Sequence, residues 1–464
     1  MTTTLIDADY LVVGAGAAGM AFTDALVDHA DVKVAMVDRR RAAGGHWLDS
    51  YPFVRLHQAS AFYGVASTLL GGGRVQTAGP ETGLHERATG AEVCAYFARV
   101  LDRLVGTGKV AFHGGCDHLG GRRFVALDSG EQYDVSEGCR IVDAHYVSPT
   151  IPVHTPPPFG VAHGARVVPV NDLVNRGDGA QQLVVVGSGK TATDAIVWAL
   201  DNGVDPDRIC WVRPRDPWML NRAVVQPSSA VFVNMAADIM TAAADATSTD
   251  ELFLRLEAAG VMLRIDRTVT PTMAKAPTLA EWELDRLRRI EHVVRLGHIR
   301  HVEPGRLVLD QGEAAIDRDA LVVHCAAEGL TRPPLVPIWQ SDAIRPQPIR
   351  AGFPSLAAAI AGYVEATRDD DAEKNRTCPP NSFSDAPADW CAMQARGARG
   401  AAAFGGESDI RAWLEGVALN PVRTPAGEAD GAALAAASSR LSGALEAGVA
   451  RLTELATTGS PTLR

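Results

Sequence analysis

Residues 10–20 read YLVVGAGAAGM, an apolar run that breaks into glycines and continues into helix-forming residues. Tyr10 to Val13 have the uninterrupted apolar pattern of a strand buried on both faces of a parallel sheet. Gly14 permits a tight turn, Gly16 lets backbone approach a pyrophosphate, and Gly19 lets the next helix pack closely on the strand. That helix presents Ala17, Ala18 and its free N–H groups, with their partial positive charge, to the phosphates. A second strand, Val32 to Val37, ends on Asp38-Arg39. An acid there accepts hydrogen bonds from a ribose. The position of this unit near the amino terminus suits an FAD-binding domain.

The pattern returns in LVVVGSGKTATD, residues 183–194, with Gly187, Ser188, Gly189 and Ala192 in the fingerprint positions. Its partner strand, Ile209 to Val212, ends on Arg213-Pro214-Arg215, with no acid before Asp216. A ribose hydroxyl wants a carboxylate, whereas a 2′-phosphate wants a guanidinium fork. One charge-assisted hydrogen bond contributes about 1.5–3 kcal/mol, or roughly ten- to a hundred-fold in affinity. The expectation is NADPH; the alternative is that both arginines belong to a solvated turn. Gly189-Lys190-Thr191 also imitates the end of a P-loop, but Val184 stands where its first glycine belongs, so ATP is not expected. Lys190 either touches the NADPH phosphates or faces solvent. Two such sites in one chain imply a hydride passed between cofactors.

At 464 residues the chain is long enough for two or three domains. Its 47% hydrophobic and 21% charged residues are ordinary globular composition. A net charge of −11 argues against nucleic acid as a partner, since phosphate contacts need a basic surface. The seven cysteines form no Cys-x-x-Cys and no zinc-like pair, so no metal is expected and a reduced, cytoplasmic setting fits. They also lack the closely spaced pair of a disulfide reductase. No secretory leader and no membrane-length apolar run is read.

Gly90 to Val105 has helical periodicity, and Lys109–Phe112, Arg123–Leu127 and Arg140–Ala144 read as strands. After Arg215, helices are expected over Asp250–Ala259 and Leu279–Arg295, followed by strands at His301–Leu309 and Leu321–Cys325. Gly431 to Ala456 reads as a helix that either packs on the surface or supports a homodimer. The predicted fold is α/β: two Rossmann-like dinucleotide-binding domains with a helical insertion. Residues 1–155 and 320–464 would form a three-layer FAD domain with a C-terminal helical extension. Residues 160–319 would form an inserted NADPH domain, with the helical insertion at about 216–300.

Between the fingerprints lies GGHWLDSYPFVRLHQASAFY, residues 44–63. Here the chain resembles the flavin-dependent monooxygenases, the group containing flavin monooxygenases, N-hydroxylating enzymes and Baeyer–Villiger enzymes. Their Gly-Gly-x-Trp is matched by Gly44-Gly45-His46-Trp47, and their Tyr-Pro-x-x-Arg by Tyr51-Pro52-Phe53-Val54-Arg55. RIVDAHYVSPTIP resembles the strand and crossover leaving the FAD domain, and ALVVHCAA, residues 320–327, the return. Departures mark a divergent branch. Baeyer–Villiger enzymes usually carry an aspartate where this chain has His57. Their Phe-x-Gly-x-x-x-His linker is not reproduced by Phe159, Gly160 and His163. Asp143-Ala144-His145 and Cys325-Ala326-Ala327 replace the usual Ala-Thr-Gly.

The resemblance implies an enzyme using FAD, NADPH and dioxygen, which forms a flavin peroxide and oxygenates a small molecule, foremost at nitrogen or another heteroatom. The alternative is an NADPH-dependent flavoprotein reductase that passes electrons to a partner. Gly45, His46 and Trp47 would border the FAD, with Trp47 packing the loop, and Cys116 would sit near the adenine. His57 and Gln58 would lie beside the flavin as catalytic candidates, His57 either handling a proton near neutral pH or bracing the loop. Arg55, the third candidate, would hold a phosphate or loop carbonyls. Trp218, Asn221 and Arg222 are candidates to approach nicotinamide or substrate.

Overall fold

The computed structural model describes residues 3–176, 181–327, 329–423 and 431–458. Its helices are α1 (Ala17–His29), α2 (Gly90–Gly106), α3 (Leu173–Arg176), α4 (Lys190–Asp201), α5 (Ser229–Asp245) and α6 (Thr249–Ala258). They continue with α7 (Glu281–Leu287), α8 (Pro354–Thr367), α9 (Asp371–Thr377), α10 (Pro387–Gly406), α11 (Ser408–Gly416) and α12 (Gly431–Thr458).

Successive side chains of a strand point to opposite faces, so a strand covered on both sides must be apolar throughout. Tyr10–Val13 shows this directly. Leu11 and Val13 face a small second sheet with Phe124 and Cys116, whereas Val12 joins the core beneath the helices. The strand runs parallel between Val34–Asp38 and Arg140–Asp143, and Val110–Gly114 completes the outer edge. Helices α1, α2 and α8 cover one face. The sheet of Thr4–Ile6, Gln132–Val135, Arg123–Ala126 and Cys116–Gly120 covers the other, giving three layers. α8 lies on α1 so closely that a side chain at Gly362 would collide with the Phe22 carbonyl oxygen.

The second unit repeats this logic. Its parallel sheet runs in the order Arg166–Pro169, Leu321–His324, Leu183–Val186, Ile209–Val212, Val293–Val294. Val184 and Val186 pack on a flanking sheet built around Ile299–Glu303 and Arg306–Leu309, while Val185 lies in the main core with Ile196 of α4. The two crossovers pair with each other, Pro149–Thr150 antiparallel to Gly329–Leu330.

Several boundaries differ from the sequence reading. Leu321–His324 belongs to the second sheet, so the chain does not re-enter the first domain at residue 320. It returns at Ile344, which bridges Val142 and accepts a 2.8 Å hydrogen bond from the Asp143 N–H. A short apolar run buried on both faces reads the same in either sheet, which is why the sequence placed it early. The expected helix over Leu279–Arg295 is only α7. Leu279 pairs with Asn221, and Val293-Val294 joins Trp211-Val212, as β-branched residues favour. His301–Leu309 is a hairpin, bent at Gly305 with φ +87°.

The insertion is partly β. Trp218–Asn221 pairs with Met262–Arg264 and Thr278–Leu279, and α5, α6 and α7 surround this small sheet. α12 packs along α5 and α10 rather than standing free. A Cβ at Gly448 would lie 2.6 Å from the Met240 carbonyl oxygen, so only glycine permits that approach.

Candidate functional site

Both fingerprints form the turn their glycines require. Gly14 and Gly187 adopt φ +109° and +122°, in the region that favours glycine. A side chain at Gly19 would collide with the Gly14 carbonyl oxygen. Gly16 and Gly189 cap α1 and α4 without any side-chain hydrogen bond, leaving the first-turn N–H groups to a ligand. Above Gly189, with Ser188 behind it, a Cβ would meet nothing within 4 Å.

A cavity of about 460 Å³ opens at the carboxyl ends of the first sheet, lined by Val13, Asp38, Arg39, Cys116, His145 and Arg345 among others. Ligands of open parallel sheets bind at this edge. Asp38 is buried and organises the rim. Its Oδ2 accepts the Ala15 N–H at 2.8 Å and its Oδ1 the Arg40 N–H at 2.8 Å. Arg39 pairs with Asp117 at 3.3 Å. The structure therefore brings Val13, Asp38, Arg39 and Cys116 to one cavity, with room and polarity that fit the adenosine end of FAD, while Gly14 lies under the His145 ring.

The Gly44–Tyr63 loop lies against this turn: a Cβ at Gly16 would come within 3.5 Å of Gly45 Cα. Trp47 donates its Nε1–H to the Tyr63 hydroxyl at 2.6 Å and packs the loop. Burial and the Arg40 charge lower His46 to about 4, so its ring is neutral. The loop then reaches the second domain. Tyr51 donates to Asp194 Oδ2 at 2.7 Å, and Phe53 stacks on Trp198 with ring centroids 5.1 Å apart. Lys190 folds back onto the same Asp194, so it neither faces solvent nor is free for phosphate; Thr191 and Ala192 begin α4 beside it.

His57 departs from the proton-handling reading. Burial, and then the charges of Lys190, Arg222 and Arg87, hold it well below the ordinary histidine range. It is a neutral donor or acceptor near pH 7. Its backbone is clamped: the His57 carbonyl accepts from Arg222 Nε at 2.7 Å and from Thr278 Oγ1, and the Leu56 carbonyl accepts from Arg87 Nη1 at 3.0 Å. Gln58 follows, half-buried. Arg55 is exposed and donates to the Arg87 carbonyl at 3.1 Å, which makes it a brace on the outer side of the loop.

Behind the loop is a buried charge network. Arg222 bonds Glu81 at 2.7 Å and Glu283 at 2.6 Å, Arg87 also binds Glu81, and Arg87 lies 3.7 Å from Glu283. All four residues are under one-tenth exposed. They join the first domain to the insertion. No motif signals this set, because its members are scattered over two hundred residues. Trp218 stacks on Phe253 and Asn221 bonds the Gly260 carbonyl, so neither is a free contact for nicotinamide.

The arginine tip also departs from expectation. Arg213 is buried over the Trp211 ring, 3.3 Å from Asp216, and burial lowers it to about 10. Arg215 is half-buried, bonded to Asp385 at 2.8 Å and to the Thr272 carbonyl at 2.6 Å. A solvated pair of arginines is not what this turn presents. Arg215 remains the more accessible of the two. Among the described residues no metal-binding cluster is present, and no helix is long and apolar enough to cross a membrane.

This pairing of two nucleotide folds is similar to that of cyclohexanone monooxygenase. The closed crystal structure of cyclohexanone monooxygenase matches 99% of this chain and 98% of its own, at 16% identity and a TM-score of 0.50. The open form of that enzyme matches 80% of this chain and 92% of its own, at 15% identity and a TM-score of 0.50. Residues 12–66 match the NAD(P)-binding Rossmann-like domain. By sequence the chain belongs to one family with uncharacterized proteins of Mycobacterium bovis and Mycobacterium tuberculosis. It is 41% identical to them over 419 residues, which span 89% of this chain and 78% of theirs.

Proposed function

We propose that the protein is an FAD- and NADPH-dependent monooxygenase acting on a small molecule, foremost at nitrogen or another heteroatom. The observation that carries this reading is one arrangement: two glycine turns, each opening onto an uncapped helix, bridged by the Gly44–Tyr63 loop through Tyr51 and Asp194. Bound FAD would supply redox and oxygen-activating chemistry that no side chain offers.

The protein's own share is binding, orientation and exclusion of water. Gly14, Gly16 and Gly19 shape the FAD cradle, and Asp38 fixes the ribose end while holding the turn through Ala15. Gly187, Ser188, Gly189 and the first turn of α4 would receive the NADPH pyrophosphate, with Arg215 nearest to solvent for the 2′-phosphate. His57, kept neutral, can donate or accept one hydrogen bond without changing charge. The Arg87–Glu81–Arg222–Glu283 network holds that loop in register and closes the insertion over it, keeping water from the reacting atoms.

The test is direct. Purified protein should carry FAD, oxidise NADPH in preference to NADH, and convert an amine or thioether from a small panel to its oxygenated product. Protein that neither retains FAD nor oxidises NADPH sinks the proposal. NADPH oxidation that yields peroxide alone, or reduces only an added electron acceptor, favours a reductase instead.

A further inference from the structure

The tip of the second nucleotide unit has no acid of its own, and the fold brings one to it from a distant segment. Arg213-Pro214-Arg215 follows Ile209–Val212 with no carboxylate before Asp216. Asp216 is buried and already engaged, 3.3 Å from Arg213 and 2.9 Å from Arg295. Arg215 instead meets Asp385, 170 residues further along the chain: its Nη1 donates to Asp385 Oδ2 at 2.8 Å. The Arg215 carbonyl accepts from Ser188 Oγ at 2.6 Å, so this ion pair stands beside the fingerprint, where the adenosine ribose of a dinucleotide lies.

Two more cations approach the same carboxylate. Lys275 Nζ, from the insertion, is 3.7 Å from Asp385 Oδ1, and Arg332 Nη1, just beyond Gly329–Leu330, is 3.5 Å from Asp385 Oδ2. Three segments of chain thus bring positive charge to one anion. The backbone under that anion is pinned. The Asp385 carbonyl accepts from the Ala274 N–H at 2.5 Å, and Ser384 Oγ donates to the Ala274 carbonyl at 2.6 Å. Neighbouring Asp389, 3.7 Å from Arg332, caps α10 by accepting the Ala386 N–H at 2.9 Å. The Asp385 carboxylate has no such duty, and among the described residues it hydrogen-bonds Arg215 alone. The Arg215 and Asp385 side chains are 31% and 20% exposed, so water weakens their pairing. A rotation of the Asp385 side chain is enough to part them. Arg215 would stay in place, because its Nη2 also donates to the Thr272 carbonyl at 2.6 Å.

We propose that Asp385 is a specificity-determining residue, a resident anion that occupies Arg215 until the 2′-phosphate of a dinucleotide displaces it, with Arg332 and Lys275 completing the phosphate seat. The inference rests on the NADPH reading and adds to it a residue that opposes NADPH. A 2′-phosphate carries more charge than a carboxylate, and its oxygens match the guanidinium fork. A nucleotide without that phosphate leaves the Arg215–Asp385 pair intact. One with it must first part the pair, so Asp385 sets how strongly the site prefers the phosphorylated form.

The full-length protein is titrated by calorimetry with adenosine 2′,5′-bisphosphate and with 5′-AMP, so that neither FAD nor turnover enters the readout. Asp385→Asn keeps the side-chain shape and removes the charge. It should tighten the bisphosphate about 10-fold, the scale of one charge-assisted hydrogen bond, and leave 5′-AMP within a few-fold. Asp385→Glu should restore the original ratio, and Arg332→Met should weaken the bisphosphate several-fold without changing 5′-AMP. Asp385→Asn protein that binds the bisphosphate no better, or gains equally for both nucleotides, overturns the inference. A lower unfolding midpoint with both affinities unchanged overturns it too, because the pair is then structural. Wild-type protein that binds the two nucleotides equally, or binds neither, removes the 2′-phosphate site and the NADPH reading together, whereas a wild-type preference untouched by Asp385→Asn removes this inference alone. If Asp385→Asn does not fold, Asp385→Ser and Arg332→Met carry the same comparison.

Discussion

The Tyr51 hydroxyl donates to Asp194 Oδ2 at 2.7 Å, and through this bond the loop of the first nucleotide unit holds the helix of the second. Burial and then the Asp194 charge raise Tyr51 well above the ordinary tyrosine range, so it remains a donor at every working pH. The site is thus assembled from two domains by one loop. Tyr51→Phe removes a charge-assisted bond of about 1.5–3 kcal/mol. It should lower the thermal unfolding midpoint by several degrees with FAD content unchanged. An unaltered midpoint would show that the bond does not hold the domains together.

Asp38 holds the fingerprint turn as well as facing the FAD cavity. Asp38→Ala strips a partner from the Ala15 and Arg40 N–H groups. FAD retention after desalting should fall at least ~10-fold, the scale of one lost charged hydrogen bond. Full flavin content in this variant would mean that the cavity binds something else.

The nucleotide-tip arginines should separate. Arg215→Ala should raise the KM for NADPH about 10-fold and leave that for NADH nearly unchanged. Arg213→Ala, which empties a buried position over Trp211, should chiefly reduce stability. Steady-state kinetics with both nucleotides decides. Equal effects of Arg215→Ala on the two would remove it from the 2′-phosphate.

The buried network predicts a stability cost that is not additive. Arg222→Met leaves Glu81 and Glu283 with Arg87 as their one remaining cation, a loss on the order of 3–5 kcal/mol. Removing Glu283 as well, as Arg222→Met/Glu283→Leu, should recover part of it. Unfolding midpoints of the two variants in denaturant supply the comparison, and a double variant no better than the single one would contradict it.

Stability should also fall in mild acid. His46 is depressed to about 4 and His57 lies well below its ordinary value, so the unfolded chain binds protons that the folded one refuses. Their contribution is complete above pH 6.5 and is lost as pH falls toward 4, on the order of 3 kcal/mol for His46 alone. Unfolding measured across that range should show the decline, and His46→Asn should flatten it. A parallel decline in the variant would place the titration elsewhere.

Much of the fold was legible because local physics imposed it. Tyr10–Val13, Ile209–Val212 and the Gly14 and Gly187 turns are dictated by burial on two faces and by φ values that glycine favours. What the sequence hid was long-range. Nothing local distinguishes Leu321–His324 in the second sheet from the same run in the first. Glu81, Arg87 and Glu283 belong to no motif and Arg222 reads as a candidate near nicotinamide or substrate; only the folded chain makes the four one network. Arg213 is a like case: its position in the motif is visible in the sequence, but its enclosure by the Trp211 ring and Asp216 exists only in the folded chain.

If the chain transfers oxygen, label from dioxygen must reach its organic product. The test supplies the FAD-loaded protein with NADPH, an amine and isotopically heavy dioxygen, then follows the label by mass spectrometry. One heavy oxygen atom should appear in the organic product for each NADPH consumed. Label confined to peroxide and water, with the amine returned unchanged, would contradict oxygen transfer.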